Sequence, residues 1–198
     1  MLSQLRKRFW LHLTIIETNS FRIIAGEFRG RKFHFPDAAG LRPTTAKIRE
    51  TLFNWLQFDI TGKTVIDPFT GSGSLCLEAL SRGARHIYLV ELNKIAAMQL
   101  KENQRLLNSD NISIINSDAL SFIKNNTQKF NVVFLDPPFR KNFIEQTALL
   151  LNENSLAEDA LIYVEMESEQ NNQELPFNWK LLKEKITGQV VYRLYQNT

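Results

Sequence analysis

One cysteine, Cys76, stands in a chain of 198 residues, so no disulfide can close within it. That fits a chain meant for a reducing cytoplasm, which is the expected location. Histidines number three, His12, His34 and His86, and neither they nor Cys76 stand at metal-ligand spacing, so no metal site is expected. No run approaches the ~18 apolar residues that cross a bilayer, and no membrane partner is expected. Residues 1–20 hold Arg6-Lys7-Arg8 followed by Phe9 to Ile16, but His12 and Thr14 interrupt the apolar part and no small-residue cleavage site follows. That argues against a signal peptide. There is no internal repeat and no low-complexity tract.

What the chain does have is apolar mass and lopsided charge. A hydrophobic share of 43% over this length can bury a full core, which suggests one domain with a small appendage. Residues 1–50 hold ten Lys or Arg against four Asp or Glu, a balance of +6, while residues 51–198 carry −3. A basic leading segment on a mildly acidic body is the pattern of an arm that engages a polyanion. Charge alone does not separate that reading from an ordinary solvated surface. Residues 22–35 read as a small two-stranded element bent at Gly26 and Gly30, and a hairpin of that size must pack on something or order on a ligand. Its Arg29, Arg31 and Lys32, interleaved with Phe28, Phe33 and Phe35, suit phosphate contacts beside stacking rings.

A helix capped by Thr44 or Thr45 is expected to run to about residue 58, with Ile48, Leu52, Phe53, Trp55 and Leu56 at helical period. Strands at 64–67, 86–90, 112–116, 130–135 and 160–165 alternate with helices at 74–82, 94–107 and 143–151. Two closing strands at 179–186 and 189–195 meet tightly at Gly188. Such alternation requires right-handed crossovers. The expected class is α/β: a mostly parallel seven-stranded sheet with helices on both faces and a terminal hairpin that sets one strand antiparallel.

Two motifs carry chemistry. The run 130–135 reads as a strand buried on both faces, and it ends in Asp136-Pro137-Pro138-Phe139. Two consecutive prolines can neither continue a ladder nor enter a helix interior, so the chain leaves the sheet rigidly at Asp136. There a carboxylate and the Pro137 carbonyl can accept both N–H bonds of an exocyclic amine while the Phe139 ring stacks on a base. Taken alone, the tetrapeptide fits a solvated loop equally well.

The second motif is Asp67-x-Phe69-x-Gly71-x-Gly73, set between a strand and a helix where glycines let backbone approach a ligand. Glu91 ends the next strand, 24 residues after Asp67, and can accept both ribose hydroxyls of a nucleoside. Asp118, followed by Ala119, comes after the third strand and can take an adenine amine; Asp136 comes after the fourth. Any one acid alone is more often a helix cap. Four at successive strand ends, on the carboxyl edge of one sheet beside a G-x-G turn, point to a nucleoside crevice. The third small residue of a dinucleotide fingerprint would fall at Cys76, and no P-loop lysine follows, so NAD is disfavoured. A nucleoside with a cationic amino-acid tail fits better, as in S-adenosylmethionine. Cys76 itself reads as a small core residue.

With these residues assembled, the chain resembles the class I S-adenosylmethionine methyltransferases, and within them the bacterial small-subunit ribosomal RNA guanine-N2 methyltransferase D family. Beyond the two motifs, the resemblance rests on Arg22-Ile23-Ile24-Ala25-Gly26-Glu27-Phe28-Arg29-Gly30-Arg31-Lys32, on Arg42-Pro43-Thr44-Thr45 and on Arg49-Glu50-Thr51-Leu52-Phe53-Asn54-Trp55-Leu56. It continues through Leu77-Glu78-Ala79-Leu80-Ser81-Arg82-Gly83-Ala84 and Gly188-Gln189-Val190, and spans about residues 21–196. The resemblance implies a Rossmann-like fold and methyl transfer to the N2 amine of a guanine in 16S rRNA, within the 30S subunit or its assembly intermediate, by a monomer. It implies a basic hairpin appendage at 21–40 and a methyltransferase domain at 41–198, with residues 1–20 of unassigned role. Asp136, Pro137 and Phe139 would then be catalytic; Asp67, Phe69, Gly71, Gly73, Glu91, Asp118 and Ala119 would hold the methyl donor; and Arg29, Arg31, Lys32 and Arg42 would contact RNA. A DNA adenine-N6 methyltransferase shares the acid-Pro-Pro-aromatic need but usually carries a recognition domain, for which little chain remains. A non-catalytic S-adenosylmethionine- or RNA-binding module is opposed by the intact Gly71, Gly73, Glu91 and Asp136.

Overall fold

The computed structural model describes residues 18–37, 44–138, 143–170 and 173–198. Its first strands, β1 (Thr18–Arg22) and β2 (Lys32–Pro36), pair antiparallel as a separate two-stranded sheet. Pairing runs from Thr18↔Pro36 to Arg22↔Lys32, so the first strand lies earlier than expected and residues 23–31 form the connection. The reason is local. Gly26 and Gly30 have φ of 85° and 80°, which folds the segment away from the ladder.

The main body then runs α1 (Ala46–Trp55), β3 (Thr64–Asp67), α2 (Ser74–Ser81), β4 (His86–Val90), α3 (Lys94–Leu107), β5 (Ile112–Ile115), α4 (Ala119–Asn125), β6 (Phe130–Leu135), α5 (Phe143–Asn154), β7 (Leu156–Glu167), β8 (Trp179–Thr187) and β9 (Val190–Asn197). The strands form one seven-stranded sheet in the order β5-β4-β3-β6-β7-β9-β8. β9 alone runs antiparallel to both its neighbours, as the terminal hairpin required. α4 was not foreseen, because seven residues are too few to display a helical period. α1 stops at Trp55: Leu56 is its C-cap, with its N–H bonded to the Leu52 carbonyl, and residues 56–59 continue as turns, with Phe58 87% exposed.

Alternation along each strand sorts the core into two layers. Val65, Ile87, Leu89, Val132, Phe134, Leu161, Tyr163, Tyr192 and Leu194 face α1, α2, α3 and the hairpin. Ile66, Val90, Val133, Leu135, Ile162, Val164 and Val191 face α4 and α5. After β5 the chain returns to place β6 on the other side of β3. That reversal opens a crevice at the carboxyl ends of β3 and β6, the usual ligand position in open α/β sheets.

Candidate active site

Asp67 ends β3 at 2% exposure, on the same alternating face as Val65. Its Oδ1 accepts the Phe69 N–H at 3.0 Å, while the Thr70 hydroxyl donates to its backbone carbonyl at 2.8 Å. Burial pushes its carboxyl up to about 8 against the pull of the Phe69 N–H, and the charge of Glu91 adds to the rise. An acid raised in this way binds its proton more tightly folded than unfolded. Its contribution to stability is therefore undiminished below the unfolded value near 3.8 and falls as pH rises towards 8. Asp67→Asn keeps an acceptor for Phe69 and removes the buried charge. Thermal melts should show it several degrees more stable than wild type at about pH 8.5 and no more stable at about pH 4, at roughly 2–4 °C per kcal/mol. A gain that is the same at both pH values would mean that charge is not the cause.

Glu91 follows β4 and is 9% exposed. Its Oε2 accepts the Gly71 N–H at 2.8 Å and its Oε1 the Asn93 N–H at 2.7 Å, which locks the carboxylate across the turn after β3. Burial raises its pKa, and these two N–H groups restrain the rise. Gly73 precedes α2 at φ 79°, and a Cβ there would meet Leu100 Cδ2 at 2.6 Å. The left-handed backbone is what favours glycine here, since Leu100 Cδ2 is the tip of a flexible side chain that could give way. The Phe69 ring lies 5.5 Å from that of Phe143 between centroids, and its backbone N–H bonds to Asp67.

Asp118 caps α4, its Oδ1 accepting the Ser121 N–H at 2.9 Å, which commits one of its two oxygens; Ala119 beside it is buried. Asp136 leaves β6 half-buried, and the Thr44 hydroxyl, just ahead of α1, donates to its Oδ2 at 3.4 Å. Burial first, then the charges of Glu165 and Asp67, hold the Asp136 carboxyl well above the usual range. Pro137 is buried and Pro138 exposed; Phe139 and Arg42 lie outside the described residues. Cys76 is fully buried and burial raises its thiol, consistent with a core role.

The structure therefore gathers Asp67, Glu91, Asp118 and Asp136 along one sheet edge. Three neighbours were missed in the sequence, and a fourth, Thr44, was read there as a possible helix cap, a place that Thr45 takes. Asn93 caps α3 through Oδ1, and Asn116 Nδ2 donates to the Glu91 and Leu92 carbonyls. Thr44 and Glu165 flank Asp136. Only Glu165 left a signal, a fifth acid at the end of an apolar strand.

The hairpin departs from expectation in one respect. Phe28, Phe33 and Phe35 are 7%, 1% and 2% exposed and belong to the core, so they cannot stack on a base. They alternate inward because the body offers them α1–α3 to pack on, while Arg29, Arg31 and Lys32 stay exposed. Arg31 lies over the Phe28 ring at 5.1 Å and donates to the Leu106 carbonyl at 3.1 Å.

The side chains along the edge are acidic, with Asp67 raised to about 8, and they suit hydroxyls, amines and positive charge better than a diphosphate. S-adenosylmethionine has that complement of groups, and the site fits it. Among the described residues no His/Cys/Asp/Glu group could hold a metal ion.

The sequence profile of a family described as conserved hypothetical protein 95 matches residues 21–196. The ribosomal RNA small subunit methyltransferase D of Escherichia coli (strain K12) is 48% identical over 180 residues, 90% of this chain and 91% of its own. Its Haemophilus influenzae namesake is 51% identical over 181 residues, 89% of this chain and 93% of its own. The solved Escherichia coli protein yhhF aligns with a TM-score of 0.85 and 46% identity, covering 90% of this chain and 98% of that one. With matches of this extent on top of a shared fold, the chain belongs to the family of the small-subunit ribosomal RNA methyltransferase D proteins.

Proposed function

We propose that this protein methylates the N2 amine of one guanine in 16S rRNA, using S-adenosylmethionine, and that it acts as a cytoplasmic monomer on the 30S subunit or its assembly intermediate. The observation that carries the reading is Asp136, a half-buried carboxylate held by Thr44 at the crevice of a fold shared with relatives named for rRNA methylation. In this reading Glu91 accepts the ribose hydroxyls, Asp118 and Ala119 border the adenine, and Asp67 with the 69–73 turn faces the cationic end of the donor. When bound, S-adenosylmethionine would supply the methyl group for the amine nitrogen, with its sulfur as the neutral leaving group.

The protein's own part is positioning and electron supply. A guanine N2 amine is conjugated into its ring and is a weak nucleophile. Its N–H bonds to Asp136 and to the Pro137 carbonyl would push density back onto nitrogen and aim its lone pair. Phe139 is assigned to stacking on the turned-out base, a contact worth about 1–3 kcal/mol against an unstacking cost of a few kcal/mol. Residues 21–40 act as an RNA arm and 41–198 as the catalytic domain.

The deciding experiment incubates the purified protein with labelled methyl donor and undermethylated 30S subunits, free 16S rRNA or DNA, then maps the labelled base. Label at N2 of a single guanine is expected; label at N6 of a DNA adenine would overturn the assignment. For the arm, replacing Arg29, Arg31 and Lys32 with Ala should leave donor affinity intact and flatten the dependence of log K on log salt. Each lost phosphate contact removes roughly 0.7–0.9 from that slope, so three remove about two to three. An unchanged slope with normal turnover would refute the arm and direct attention to Arg140 and Lys141, which lie outside the described residues.

A further inference from the structure

The strand register sets a second acid beside the proposed amine-binding one. β6 and β7 pair in parallel through Phe134↔Tyr163 and Leu135↔Val164, the last pair of that ladder, and Asp136 and Glu165 are the residues that follow it, close enough for the charge of Glu165 to act on Asp136. Both continue the alternation that turns Phe134 and Tyr163 towards the α1 side of the sheet, where those two rings meet at 6.4 Å. Glu165 is 7% exposed, and the Tyr163 hydroxyl donates to its Oε2 at 2.6 Å. A carboxylate this deep is costly, and the bond from Tyr163 fixes one of its oxygens without neutralising it.

The charged and titratable groups around the pair come from every neighbouring strand. Asp67 stands at the end of β3 and adds negative charge. Tyr163 on β7 donates its hydroxyl, and Thr44 ahead of α1 donates to Asp136. Tyr192 on β9 lies opposite Glu165 in the ladder, and its hydroxyl is spent on Thr187. Lys185 on β8, opposite Tyr192, turns to Thr51 on α1 at 3.5 Å. None of the contacts named here gives Asp136 or Glu165 a positive partner. Burial raises both acids, and the charge of Glu165 raises Asp136 further.

We propose that Glu165 is a positioning residue for methyl transfer: it forms with the half-buried Asp136 a carboxylate pair that keeps Asp136 basic enough to take the proton the methylated amine must lose. The proposal rests on the amine chemistry assigned to Asp136. The amine begins with two N–H bonds and ends with one; the departing proton passes to the Asp136 oxygen that accepted it and leaves to water with the product. Two like charges side by side cannot both ionise readily, so the pair titrates in two separated steps. Removing the Glu165 charge would let Asp136 ionise at lower pH and make it a weaker base.

The test uses the full chain without substrate, with its Asp and Glu side-chain carboxyls labelled with carbon-13 and followed by NMR against pH. In Glu165→Gln the Asp136 midpoint should fall by about one pH unit or more, and in single-turnover methylation the acid limb of the rate profile should move down with it. An Asp136 midpoint unchanged in a folded Glu165→Gln protein overturns the pair. Should that variant fail to fold, Asp136→Asn tests the pair from its other side: the Glu165 midpoint should fall once the neighbouring charge is gone, and an unchanged Glu165 midpoint also overturns it. A shifted midpoint in a protein that methylates no RNA would leave the pair standing and overturn the function proposed above.

Discussion

Asp136→Ala is expected to lower methyl transfer by about 10²–10⁴-fold, the range spanned by removal of a positioned acid–base group, while affinity for S-adenosylmethionine stays within a few-fold. The split follows from geometry. Glu91 is built into the turn after β3 by the Gly71 and Asn93 N–H groups, whereas Asp136 stands at the end of the next strand in the sheet and is tied only to Thr44 among the bonds described here. Calorimetry with the methyl donor and single-turnover assays on undermethylated 30S subunits separate the two effects. A folded variant that has lost donor binding would move Asp136 into the donor pocket. A variant that still turns over normally would remove it from the chemistry.

Glu78→Ala is expected to cost about 3–5 kcal/mol of stability, the usual penalty for stripping one partner from a buried charged network. Glu78 is fully buried on α2 and is bonded on both oxygens. Oε2 accepts the Ile24 N–H at 2.8 Å, and Oε1 accepts the Ala25 N–H at 3.1 Å and Arg82 Nε at 2.8 Å. Without it, two backbone donors of the hairpin connection would lie against the body unmatched. At roughly 2–4 °C per kcal/mol, the melting temperature should fall by around ten degrees. The same change should expose the connection: a trypsin-like protease should cut at Arg29, Arg31 or Lys32 in the variant well before it does so in wild type. A wild-type melt together with wild-type protection would show that the remaining contacts secure the arm without Glu78, among them the Ser81 carbonyl accepting the Glu27 N–H at 2.8 Å and the Ser81 hydroxyl accepting the Phe28 N–H at 2.9 Å.

This docking explains a glycine that spacing alone could not interpret. A Cβ on Gly26 would lie 1.8 Å from the Ser81 carbonyl oxygen, so the position is set by contact with another element as well as by its φ. In the sequence Gly26 reads as a bend inside a hairpin. In the fold it is where the arm touches α2, the helix whose other end carries the Gly71–Gly73 turn.

The sequence by itself determined the parallel sheet, the reversed last strand and the row of acids at the strand ends. Each of these is written in local order: apolar runs of strand length, glycines at turns, and one carboxylate just past each run. Period and punctuation survive in a linear string because backbone geometry imposes them residue by residue. Tertiary structure alone decided which way the hairpin rings face, since Phe28, Phe33 and Phe35 turn inward only because α1–α3 offer an apolar surface that lies elsewhere in the chain. It also decided the partners of the acids. Thr44 and Asp136 are 92 positions apart, and Ile24 and Glu78 are 54 apart. The register that sets Glu165 beside Asp136 exists only once β6 and β7 pair. Strand register and helix docking are fixed by burial of faces against one another, which no window along the chain contains.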